Sequence, residues 1–252
     1  MNYLSSDIRR EVFGWHSPRL GLHMPIVRYG SWGKALLLFP TAAADYLEHE
    51  RFFLIKSIEP LIRAGKVTAF SIESINKHAW MQEDMPVREQ ARRQALYSGY
   101  VEQEVVPHIR RALQDPGARM ITAGASFGAF HAANAFFRRP DVFDTLIGMS
   151  GIYDLGPAYL RGYMDENAYF NNPPSFLPRI SGAQRDQLSR NRIHILCGQG
   201  QWERPQFSRG FSSHLWGNGI WNNLDMWGYD MPHDWTTWRE QLPYYLSQRV
   251  GL

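Results

Sequence analysis

Three side chains stand out for the chemistry that their types and order would allow: Ser126, Glu203 and His233. Ser126 is the centre of Gly124-Ala125-Ser126-Phe127-Gly128, a G-x-S-x-G run. In that pattern the serine sits on a sharp strand-to-helix turn with its hydroxyl projecting clear of the backbone. A side chain at either glycine would collide with neighbouring backbone. His233 lies in Gly228-Tyr229-Asp230-Met231-Pro232-His233-Asp234-Trp235, close to the C-terminus. Glu203 is the one carboxylate of Gly198-Gln199-Gly200-Gln201-Trp202-Glu203. Serine, acid and histidine in this chain order make an acyl-transfer set. The serine attacks a carbonyl, the imidazole moves the proton, and the carboxylate orients the imidazole and stabilises its cation. Each residue also has a plainer reading. Ser126 would be incidental to a glycine-rich turn, and Glu203 a surface partner of Arg204. Asp234 is read as the N-cap of a closing helix, with Asp154 and Asp230 as lesser alternatives for the acid. His131 reads as a packed core residue and His214 as part of a surface helix.

These residues need elements to hold them. Short apolar runs alternate with helical patterns, which predicts an α/β fold: one mostly parallel sheet with helices on both faces. Val12–Trp15 and Leu20–Arg28 read as an opening hairpin, and Ala35–Phe39 as a strand buried on both faces. A helix over Glu50–Ala64 and a strand over Val67–Ile72 follow. Arg88–Gln114 is a long helical pattern with Pro107 as a kink or break. Met120–Ala123 is a buried strand directly before the Ser126 turn, and Phe127–Arg138 is a helix rich in alanine directly after it. Further strands are expected at Leu146–Met149, Ile193–Cys197 and Leu224–Trp227, with a last helix over 234–247. Residues 154–191, rich in Pro, Asn, Gly and Tyr, read as a cap-like insertion within a single domain spanning 1–252.

An oxyanion needs two backbone donors. Phe127 N–H, next to the nucleophile, is one. The other is expected in the loop after Phe39, where Pro40 has no N–H and Thr41 or Ala42 remains. Trp80, Tyr159, Tyr169 and Trp202 are candidates for lining a substrate pocket.

Composition narrows the partners. The net charge of +3 is spread over scattered arginines, with no basic cluster beyond pairs such as Arg92-Arg93 and Arg110-Arg111, so nucleic acid is not expected. No run approaches the ~20 apolar residues of a membrane span. The first fifteen residues lack the apolar core of a secretion signal, so a cytoplasmic protein is expected. The single cysteine, Cys197, permits no internal disulfide and reads as a small core residue. No metal or cofactor is called for, and the oligomeric state leaves no trace in the sequence.

The chain resembles the Putative esterase family of α/β hydrolases, which contains esterase D-like enzymes and mycolyltransferases. The resemblance covers nearly the whole chain. It rests on Phe39-Pro40-Thr41, Ser71-Ile72-Glu73-Ser74 with Trp80, and Tyr100–Pro107. It continues through the Ser126 motif, Asn171-Asn172-Pro173, Gly198–Glu203 and His233-Asp234-Trp235. It implies the α/β-hydrolase fold and hydrolysis of carboxylic esters through an acyl-serine, without cofactor or metal; esters with small or medium acyl groups are the expected substrates. One position departs from the family: many members carry Asp where this chain has Gln201, which passes the acid role to Glu203. An acyltransferase or thioesterase on the same site, or a catalytically silent binding scaffold, are the alternative readings.

Overall fold

The computed structural model describes residues 7–252; the first six residues of the polar N-terminal segment lie outside the described residues. Among the described residues the sheet has eight strands: β1 (Arg10–Ser17), β2 (Leu22–Tyr29), β3 (Lys34–Phe39), β4 (Val67–Ile72), β5 (Met120–Ala125), β6 (Phe143–Met149), β7 (Arg192–Cys197) and β8 (Asn223–Met226). Their order in the sheet is β1-β2-β4-β3-β5-β6-β7-β8. The opening hairpin pairs antiparallel with itself and with β4, and the other pairings are parallel. This is the α/β-hydrolase arrangement.

The two faces of the sheet carry separate cores, and β3 shows why. Its alternate side chains divide between them: Leu37 and Phe39 enter one core, Leu36 and Leu38 the other. The first core is covered by α4 (Val87–Tyr100), α5 (Val106–Leu113), α6 (Phe127–Arg138) and α10 (Pro205–Gly217). The second lies beneath α1 (Glu48–Arg51), α2 (Leu54–Ser57), α3 (Glu59–Arg63) and α11 (Trp235–Tyr244). Each fully buried leucine of β3 contributes roughly 1.5–3 kcal/mol relative to exposure. Such a strand is held rigidly, which matters because the loop leaving it borders the site.

Two helical expectations are corrected in detail. The single helix over Glu50–Ala64 is three short pieces, α1 to α3. Phe53 adopts a left-handed conformation at φ 63°, and Pro60, which lacks an N–H, restarts the helix in the first turn of α3. The long pattern over Arg88–Gln114 is not broken at Pro107. A π turn over Val101–Val105 separates α4 from α5 and places Pro107 in the first turn of α5, where its missing donor costs least. Between β6 and β7 the chain runs through a π turn (Gly156–Leu160), α7 (Glu166–Tyr169), α8 (Pro173–Phe176) and α9 (Gly182–Leu188). No helix among the described residues is long and apolar enough to cross a membrane.

Candidate active site

The turn between β5 and α6 is as sharp as its glycines require. Ser126 stands at φ 55°, ψ −121°, a conformation that costs a non-glycine residue of order 1–3 kcal/mol. The surroundings hold it there: Ser126 N–H donates to Met149 O at 2.9 Å, and Ile152 N–H donates to Ser126 O at 3.3 Å. A Cβ at Gly124 would strike the Gly128 carbonyl, and one at Gly128 would strike the carbonyls of Phe39 and Pro40. Absent side chains thus let strand, helix and the β3 loop close on the serine. Phe127 N–H opens α6 and has no partner within the helix.

Glu203 and His233 are brought together. His233 Nδ1 lies 3.2 Å from Glu203 Oε2. An ionised carboxylate has no proton to give, so Nδ1 carries the hydrogen and Nε2 keeps the basic lone pair. The two loops are zipped by backbone bonds: Gln199 N–H to Gly228 O at 3.1 Å, Gly200 N–H to Met231 O at 2.9 Å, and His233 N–H to Gln201 O at 2.9 Å. Side chains at Gly198 or Gly200 would collide with Met231. Gln201, the departure from the family pattern, serves here through its carbonyl.

Glu203 is stabilised as an anion. Burial alone would raise its pKa, but hydrogen bonds from His233 and Ser150 outweigh this and hold the carboxyl below its ordinary range. Ser150 Oγ donates to Oε1 at 2.5 Å, Gly198 N–H at 3.1 Å, and Cys197 Sγ approaches Oε2 at 3.4 Å.

Ser126, Ser150, Glu203 and His233 follow β5, β6, β7 and β8, four neighbouring strands, at their carboxyl ends. Strands β5 and β8 are three spacings apart, roughly 14 Å, so the histidine loop must lean back across the sheet. Trp238 links that loop to the end of β6. That indole packs edge-on to His233 at 5.2 Å, and its Nε1–H donates to Ser150 Oγ at 3.0 Å. Ser150 follows Met149, the residue bonded to Ser126. Trp238 thus connects the imidazole to the residue that follows β6, the strand paired with β5. Among the described residues, Ser126 Oγ makes no hydrogen bond to another side chain; in serine hydrolases such bonds often tighten only once substrate is bound.

A family model described as Putative esterase matches residues 61–248, about three quarters of the chain. The chain belongs to that family. The esterase gives no match among curated protein sequences. Its fold is shared with S-formylglutathione hydrolase (FrmB) from Staphylococcus aureus, at 15% identity over 98% of this chain and 100% of that one, TM-score 0.72. It is shared with FphF, a fluorophosphonate-binding serine hydrolase of the same organism, at 14% identity over 97% and 99%, TM-score 0.73. A ferulic acid esterase matches at 16% identity over 93% and 94%, TM-score 0.70.

The remaining candidates of the esterase are distributed unevenly. Thr41 N–H donates to Glu48 Oε2 at 2.8 Å, so of the two loop residues Ala42 is the one left with a free N–H. Tyr159 packs edge-on to Phe127 at 5.2 Å and to Trp80 at 5.9 Å, which puts Tyr159 beside the elbow with the Trp80 ring next to it. They wall a cavity of about 390 Å³. Tyr169 does not join them. It lines a cavity with Arg138 and Arg179 at the far end of α6, roughly 17 Å along that helix from Phe127. Trp202 is 78% exposed and left-handed at φ 67°, in the turn that delivers Glu203.

His131 is a packed core residue, with Nε2 2.9 Å from Asn76 Oδ1. Asp234 caps α11 through Trp235 N–H at 2.6 Å. Sequence reasoning missed Ser150 and Trp238, whose partners lie 53 and 88 residues away. Their only local trace is a serine ending a buried strand and a tryptophan five residues beyond the histidine.

Proposed function

We propose that the esterase works through Ser126, His233 and Glu203, with Phe127 N–H and Ala42 N–H as oxyanion donors. Ser126 Oγ attacks the ester carbonyl while His233 Nε2 accepts its proton. The protonated imidazole, held by Glu203, returns that proton to the leaving alkoxide. Water then attacks the acyl-serine, giving a proton to His233, which returns it to Ser126 Oγ as the acid is released.

The observation that carries this reading is the Nδ1–Oε2 contact between His233 and Glu203, in loops zipped together after β7 and β8, at the same carboxyl end of the sheet as the strained serine. Ile152, whose N–H donates to Ser126 O, also lines a cavity of about 290 Å³ with Tyr153, Pro157, Phe207 and Phe211. Its mainly apolar wall supports a small or medium acyl chain, and Trp80 and Tyr159 border the other side. The scattered charge supports a small-molecule ester rather than a polyanion as the substrate.

Hydrolysis of p-nitrophenyl esters of increasing chain length tests the proposal. Turnover by the wild-type protein that disappears in Ser126→Ala is the expected result. Turnover surviving in that variant would contradict it.

A further inference from the structure

The loop after β3 must hold its N–H groups steady against an oxyanion, and yet it is Phe39-Pro40-Thr41-Ala42-Ala43-Ala44, with no glycine and little side chain to anchor it. The anchor comes from α1. Glu48 is 5% exposed and spends both carboxylate oxygens on one residue. Oε2 accepts Thr41 N–H at 2.8 Å and Oε1 accepts Thr41 Oγ1–H at 2.6 Å. Burial raises the Glu48 pKa, and the two bonds from Thr41 oppose that rise. A buried carboxylate needs such partners, and losing one of them is costly.

The next residue grips the same segment one step earlier. His49 is buried, its Nδ1 lies 2.7 Å from Ser71 Oγ on β4, and its ring is hydrogen-bonded to the Phe39 carbonyl. Its imidazole also packs edge-on to Trp235 at 6.0 Å, at the start of α11. On the far side, the carbonyls of Phe39 and Pro40 press against Gly128 of the elbow, where no Cβ intervenes. The three residues 39–41 are therefore fixed between α1 and the nucleophile turn.

We infer that Glu48 and His49 are positioning residues that set the oxyanion loop, Glu48 by fastening Thr41 so that Ala42 N–H is aimed beside Phe127 N–H. This rests on Ser126 being the acyl-transfer nucleophile. Neither residue touches substrate. Oxyanion donors act only on the tetrahedral state, so loosening the loop lowers kcat and spares KM.

The test compares Glu48→Gln and Thr41→Val with wild type, on p-nitrophenyl acetate and on binding of a phenylboronic acid, whose serine adduct is tetrahedral. Thr41→Val keeps the backbone bond and removes only the hydroxyl, so it remains informative if Glu48→Gln does not fold. The expected result is a kcat lower by tenfold or more with KM within threefold, and boronate affinity weakened in parallel. Thr41→Ser, which keeps the hydroxyl, is expected to retain wild-type kcat. Unchanged kcat in Thr41→Val, or a rise in Glu48→Gln showing that the carboxylate competes for a donor, would overturn the inference. A wild-type protein that fluorophosphonate does not label would instead overturn the nucleophile assignment beneath it.

Discussion

Ser150 Oγ lies 2.5 Å from Glu203 Oε1 and 3.0 Å from Trp238 Nε1, so one hydroxyl ties the carboxylate to the indole that packs on His233. Ser150 holds this place at φ 49°, a second strained serine at the end of a parallel strand. A hydrogen bond to a charged group contributes about 1.5–3 kcal/mol. Ser150→Ala is therefore expected to lower kcat roughly 10-fold or more with little change in KM. Trp238→Phe, which keeps a ring against the imidazole but loses the N–H, should fall between wild type and Ser150→Ala. Steady-state kinetics on one ester series checks both.

Removing the charge of Glu203 strikes harder. Glu203→Gln leaves an amide of nearly the same shape, but it neither stabilises an imidazolium nor fixes the Nδ1–H tautomer. A loss of about 10⁴-fold in kcat is expected by analogy with other serine–histidine–acid sites. Activity within tenfold of wild type would move the acid role elsewhere.

Much of this was legible in the chain. The strand before Ser126, the helix after it and the flanking glycines are local features, and the fold places all of them as the pattern predicts. Glu203 and His233 were legible because loop and strand order constrain them. What stayed hidden is non-local: Ser150, Trp238 and Glu48 look ordinary beside their sequence neighbours, and only tertiary pairing gives them partners. The α1–α3 region was misread for a different reason. A left-handed Phe53 leaves no mark in apolar periodicity, which reports side-chain character and not the backbone dihedral.

The elbow glycines make a stability prediction. Gly128→Ala would force a methyl into the Phe39 and Pro40 carbonyls, and overpacking of this kind costs at least about 1–3 kcal/mol. Because the colliding atoms are backbone, relaxation would displace the oxyanion loop. Denaturant unfolding should show the loss, and residual folded protein should have reduced activity. An Ala variant as stable and active as wild type would show that the close approach is not needed.

Acid should destabilise the protein through buried neutral histidines. Burial holds His49 and His194 at about 4 and His131 at about 3. In the unfolded chain each titrates near 6.5. Between about 6.5 and 4 the unfolded chain binds protons that the native state refuses. Their contribution is thus complete above pH 6.5 and lost as pH falls. Each histidine adds a slope of at most about 1.4 kcal/mol per pH unit. Urea midpoints measured from pH 7 to 5 should decline, and His131→Phe should flatten the slope by about one proton. A slope unaltered by that substitution would contradict the assignment.

The most direct test of the whole account is mass-mapped labelling with a fluorophosphonate probe at neutral pH. The account predicts one adduct per chain, on the peptide carrying Ser126, absent in Ser126→Ala and strongly slowed in His233→Ala. A wild-type protein that stays unlabelled, or a label on any other residue, would contradict it.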